Sequence, residues 1–235
     1  MPRERTILIV AAHPDDEVLG CGGTAARLAA GGDAVHIAIL GEGITSRFSN
    51  RELADPREID ALHARSRDAG RLIGAREVHG YRLPDNRFDS VPLLEIVKIL
   101  EDLIATLRPG VVFTQHGGDL NIDHVQTYRA VLTATRPLAG SPVKSVYAYE
   151  VPSSTEWAFG QFEPAFRPNV FVDISATLER KIAAMQTYES EARAFPHPRS
   201  PQALRAAAEH WGSVAGVAAA EAFELVRGVV EPGQL

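Results

Sequence analysis

What this chain lacks narrows it first. It has one cysteine, Cys21, in 235 residues, so no intrachain disulfide framework holds it together. Aromatic residues make up only 7%, and no apolar run approaches the roughly 18 residues of a membrane span. Lys and Arg number 24 against 30 Asp and Glu, for a net charge of −6. That balance argues against a nucleic-acid surface, which needs clustered cations. A small anionic substrate stays open, because one or two arginines suffice for it. Met1-Pro2-Arg3-Glu4-Arg5 leads straight into apolar sequence with no secretory h-region, and a cytoplasmic protein is the expectation. Linkers, repeats and low-complexity segments are also missing, so residues 1–235 read as a single domain.

What is there alternates between strand and helix. The run Ile7-Leu8-Ile9-Val10 reads as a buried, parallel strand. Residues 24–30 are helix-forming and close at Gly31-Gly32. A second strand follows at 34–40. Asp55-Pro56-Arg57-Glu58 then supplies a cap, a first-turn proline and a favourable acid for a helix running to about residue 72. A short strand around 78–81 precedes a helix capped by Ser90, whose Leu93, Leu94, Ile96, Val97, Ile99, Leu100, Leu103 and Ile104 give it one densely apolar face. Strands at 111–114 and 143–149 flank a helix at about 125–135. The pattern predicts an α/β fold with a mostly parallel sheet and helices on both faces. Residues 150–157 read as a loop and 169–172 as a strand. Residues 175–194 and the Ala-rich 201–227 make a helical carboxyl-terminal portion.

Two polar clusters stand at the predicted carboxyl ends of strands, where open α/β sheets place their ligands. His13-Pro14-Asp15-Asp16-Glu17 follows the first strand, and His116 to His124 follows the fourth. His13 and Asp16 lie three apart on a turn and can converge on one point. A third ligand from the second cluster completes the three-ligand set of a catalytic metal site, and His124 is the candidate, since His116 lies nearer the strand and is followed by two glycines. Asp123 and Asn121 are placed to orient ligands or meet substrate. Asp15 can sit beside a bound metal without ligating it and take a proton from water, which suits amide or ester hydrolysis. Gly20-Cys21-Gly22-Gly23 invites a dinucleotide reading, but its spacing is not G-x-G-x-x-G and acids precede it. The simpler reading is that these glycines let the chain turn tightly into the helix.

His13-Pro14-Asp15-Asp16-Glu17, with Asp119-x-Asn121-x-Asp123-His124 downstream, resembles the PIG-L/LmbE-like family of zinc-dependent N-deacetylases. The likeness extends to Gly20 to Thr24, to Gly41-Glu42-Gly43-Ile44-Thr45-Ser46-Arg47 and to Tyr188-Glu189-Ser190-Glu191. It implies a Rossmann-like fold and hydrolysis of an acetamido group on a sugar, releasing acetate. It makes His13, Asp16 and His124 ligands of Zn2+ or another divalent metal, with Asp15 as general base. One departure concerns a histidine that many members carry three residues before the last ligand; here it is Asn121, whose amide can donate to an oxyanion but cannot titrate. His197 is the candidate for the missing acid, or else an ordinary loop histidine. Arg47 suits a phosphate or carboxylate on the substrate. Glu150, Ser153, Ser154, Glu156 and Trp157 are expected to form a sugar-binding wall. The partner is then a small N-acetylated sugar, free, nucleotide-linked or part of a glycan or secondary metabolite, with self-association into a homo-oligomer left open. Two alternatives remain: an amidase for another N-acyl sugar conjugate, and a non-catalytic sugar- or nucleotide-binding domain.

Overall fold

A computed structural model describes residues 4–230. Its centre is a seven-stranded sheet in the order β3-β2-β1-β4-β5-β7-β6. The strands are β1 (Thr6–Ala11), β2 (Ala34–Gly41), β3 (Glu77–Leu83), β4 (Val111–Gln115), β5 (Ser145–Tyr149), β6 (Val170–Asp173) and β7 (Ala220–Gly228). The first five are parallel, while β7 runs antiparallel to both β5 and β6. The helices are α1 (Asp16–Ala30), α2 (Pro56–Ile73), α3 (Leu93–Leu107), α4 (Ile122–Ala134), α5 (Leu178–Gln186) and α6 (Pro201–Ala215).

The period-two alternation of a strand divides the core. Ile7, Ile9 and Ala11 of β1 join Val18 and Leu19 of α1, Leu62 and Ile73 of α2, and Met185 of α5 on one face. Leu8 and Val10 join Ile96, Val97 and Leu100 of α3 with Ala130 and Val131 of α4 on the other. Because β1 is apolar on both sides, it must be covered on both sides, which is what makes it central. The tips of β1 and β4 then lie next to each other, as the sheet order requires. The predicted fold class therefore holds.

Three local readings need correction. Helix α1 starts at Asp16, so Gly20, Gly22 and Gly23 are inside it rather than in a turn before it. They are there for close approach: a Cβ on Gly20 would lie 2.1 Å from Tyr149 Cδ2, and one on Gly23 would lie 2.8 Å from Ile174 Cδ1. The helix kinks at Cys21, and the freed amides of Gly23 and Thr24 donate to Glu221 of β7 at 3.0 and 2.7 Å. Second, Ser90 does not cap α3; its Oγ donates to Arg87 O within a short 3-10 turn, and Pro92 stands at the cap position before Leu93. Third, the carboxyl-terminal portion is less helical than expected. α5 is only Leu178–Gln186, and residues 220–227, read as helix, lie in β7 inside the sheet.

Candidate active site

The β1 tip turns at His13-Pro14-Asp15 and delivers Asp16 as the first residue of α1. Across from it, Asn121 caps α4 by accepting from Asp123 N at 2.9 Å, which sets His124 in that helix's first turn. One donor atom each from His13, Asp16 and His124 falls within a 4.8 Å cluster. Asp16 Oδ2 is 3.4 Å from His13 Nδ1 and 3.3 Å from His124 Nε2. The same oxygen accepts from His13 N at 2.8 Å and from Gln115 Nε2 at 3.0 Å.

The far side of each imidazole is held by another acid. His13 Nε2 donates to Asp123 Oδ2 at 2.9 Å, and Asp123 Oδ1 accepts from Phe88 N. His124 Nδ1 lies 3.2 Å from Asp119 Oδ1, and Asp119 is fixed by the hydroxyls of Ser154 and Thr155. A carboxylate behind each histidine fixes its tautomer and turns the other nitrogen toward the centre. The donor set therefore suits a divalent cation: two imidazole nitrogens and a carboxylate, buried, beneath an excess of acids that only cationic charge can offset. Asp15, Asp16, Asp119 and Asp123 are each at most 2% exposed.

Without a cation the histidines take up that role themselves. Burial pushes the His124 imidazole down, but Asp16 and Asp119 outweigh it and raise the pKa to about 9. Burial likewise lowers His13, and Asp123 and Asp16 lift it well above its ordinary value. For Asp16, burial works upward, yet His124 and His13 hold the carboxyl well below its usual range. Asp15 goes the other way: burial raises it strongly, with Arg199 opposing. Asp15 has the left-handed φ of 105°, and its Oδ2 accepts from Arg199 Nη1 at 2.7 Å.

The cluster forms the floor of a cleft of about 310 Å³, whose wall includes Arg47, Asp85, Asn121, Trp157, His197 and Arg199. Of the residues singled out in the sequence, Arg47, Trp157 and His197 all reach this cleft, with Trp157 edge-on to His197 at 5.6 Å. Arg47 Nη2 is held by both carboxylate oxygens of Glu191 at 2.6 Å. Ser153 and Ser154 line the cleft as well, whereas Glu156 accepts from Ser153 N at 2.6 Å and stands outside the lining.

One residue is placed differently from expectation. Glu150 points away from the cleft and accepts from Trp211 Nε1 at 2.6 Å, because β5 ends with its side chain directed toward α6. Asn121 lines the cleft while capping α4, its Oδ1 accepting from Asp123 N and one of its two Nδ2 hydrogens donating to Asn86 Oδ1 at 2.9 Å. Asp123 is fully buried behind His13, which fits the ligand-orienting one of its two expected roles. Gln115, Asp85, Glu191 and Arg199 were missed by the sequence reading. Arg199 left a weak signal, since it sits two residues from His197 in the same Pro-rich loop.

An "uncharacterized deacetylase YaiS" of Escherichia coli K12 is 28% identical, over 80% of this chain and 92% of its own length. A diacetylchitobiose deacetylase of Thermococcus kodakarensis is 26% identical, over 96% of this chain and 84% of its own length. The crystal structure of the conserved protein TT1542 from Thermus thermophilus superposes with a TM-score of 0.73 at 27% identity, covering 97% of this chain and 98% of that one. The PIG-L family model, described as GlcNAc-PI de-N-acetylase, matches residues 8–135, the span from β1 to the end of α4 that contains every residue of the His13–Asp16–His124 cluster. By that match the chain belongs to the PIG-L family.

Proposed function

We propose that this protein is a metal-dependent N-deacetylase that hydrolyses the acetamido group of an N-acetylated amino sugar, releasing acetate. The observation that carries the reading is the convergence of His13, Asp16 and His124 within 4.8 Å, with Asp15 beside them in the cleft. The diacetylchitobiose deacetylase relative supports the substrate class. His13 Nδ1, Asp16 Oδ2 and His124 Nε2 would hold the cation, and zinc suits a set of two imidazoles and one carboxylate. Bound there, the cation supplies Lewis acidity toward the amide carbonyl and toward water.

The chain's own groups do the rest. Asp15, anchored by Arg199 at Oδ2, takes a proton from the attacking water and returns it to the departing amine. Arg199 also fixes this carboxylate in place through a second bond, from its Nε to Ser153 Oγ at 2.8 Å. Trp157, 40% exposed at the cleft wall, offers an apolar face for a sugar ring. Arg47 and His197 face the same space and would contact the sugar's substituents. The reading includes a cytoplasmic location, supported by the lone, buried Cys21.

Metal analysis coupled to acetate release from free and nucleotide-linked N-acetyl sugars tests this. One bound zinc per chain at the cleft and acetate from one sugar class is the expected result. Stoichiometric metal with no acetate from any N-acetyl sugar overturns the substrate assignment, and no metal after add-back overturns the reaction.

A further inference from the structure

A second group of metal-ligating side chains lies toward the other end of the sheet. His36 is the third residue of β2, and Glu77 and His79 begin β3. The register sets His36 beside Glu77 and Ala38 beside His79, so all three side chains project from one face of two adjacent strands. His36 Nδ1 is 3.2 Å from His79 Nε2, which is 3.8 Å from Glu77 Oε2. The three donor atoms lie within 4.8 Å of one another.

The rings meet edge to edge. They are 19° from coplanar with centroids 5.5 Å apart, so the two nitrogens face each other across a gap that holds a single proton. A cation can take that proton's place once each ring turns so that both nitrogens point to one side of the line between them, the N–N spacing itself hardly changing. Two metal–nitrogen bonds of about 2.0–2.1 Å at a tetrahedral angle separate their donors by about 3.3 Å, close to the spacing found. Glu77 has 60% of its side chain exposed, which leaves room for water in the remaining coordination positions. From His36 to Gly41, at the cleft end of β2, the strand covers roughly 16 Å at about 3.3 Å per residue, so the two centres are separate.

We propose that His36, His79 and Glu77 form a second divalent-cation site that clamps the edge strand β3 to β2. Two imidazoles and one carboxylate select a borderline transition ion such as zinc over calcium or magnesium, which favour all-oxygen sets. β3 is the outermost strand of the sheet on this side, so a cation here ties down a strand with only one hydrogen-bonded neighbour.

Zinc titration of the full chain, followed by calorimetry and metal analysis, decides the matter. The wild type should bind two equivalents and the His79→Gln variant one. The variant's second binding step should weaken at least about tenfold, while acetate release, which depends on the cleft, stays unchanged. A His13→Ala/His124→Ala chain isolates the strand-edge site and should still bind one equivalent. If His79→Gln fails to fold by circular dichroism, Glu77→Gln, at an exposed side chain, should show the same selective weakening. A single equivalent in the wild type, or a second one whose affinity survives both His79→Gln and Glu77→Gln, overturns the proposal.

Discussion

At the scale of single residues, Asp15 joins a strained backbone to a reactive side chain. A non-glycine residue at φ 105° costs about 1–3 kcal/mol, and it is held there by the Arg199 ion pair and by its own amide donating to Glu17 Oε2 at 3.1 Å. Asp15→Asn keeps the size and turn but removes the base. It should retain cleft metal while turnover falls roughly 10²- to 10⁴-fold, and His124→Ala should lose the metal itself. Metal analysis of both variants separates the two roles, because equal metal loss would make Asp15 a ligand. Arg199→Ala should lower kcat about ten- to hundredfold with the metal kept, and Arg199→Lys should recover part of it; steady-state kinetics on the three proteins checks this. His13, Asp16 and His124 were legible in the sequence because each sits at a strand tip or in a helix's first turn, where local spacing fixes direction. Arg199 was not, since a residue 184 positions from Asp15 reaches it only through the fold.

At the scale of elements, α1 shows how closely the helix carrying Asp16 is seated. Gly20 packs on the Tyr149 ring, whose hydroxyl donates to Val10 O at 2.8 Å. Gly20→Ala must displace that ring, and thermal unfolding should show a loss of about 1–3 kcal/mol. The continuous apolar run of β1 and the Asp55 cap of α2 announced those elements, since burial and local hydrogen bonding agree with sequence preference there. β7 was hidden. Its Ala220-Glu221-Ala222 start favours helix as readily as strand, and the neighbours β5 and β6 decide the matter. The available signal was Gly216, which closes α6 in the left-handed conformation at φ 76°.

At the scale of the whole molecule, the acids around the cleft couple metal to stability. In the metal-free protein His124 has its pKa raised from the ordinary 6.5 to about 9. A raised histidine contributes stability that is complete below about 6.5 and is lost as pH rises through about 9. The chelator-treated protein should therefore show a falling melting temperature across that window. The metal-loaded protein should not follow it, because its imidazoles are already neutral ligands. Melting curves at a series of pH values, with and without chelator, check this, and parallel curves would show that the histidines are not the linked groups.

The order of the last two strands has its own consequence. β7 is the last strand among the described residues, yet it lies between β5 and β6 and supplies Glu221, which receives Lys181 Nζ at 2.6 Å and the freed amides of α1. During synthesis the lock on α1 and the pairing of β6 must both wait for β7 to emerge. Until then Lys181 has no counter-charge and β6 has nothing to zip onto. The catalytic floor is encoded well upstream of the strand that locks its helix, so the lock is made after the floor.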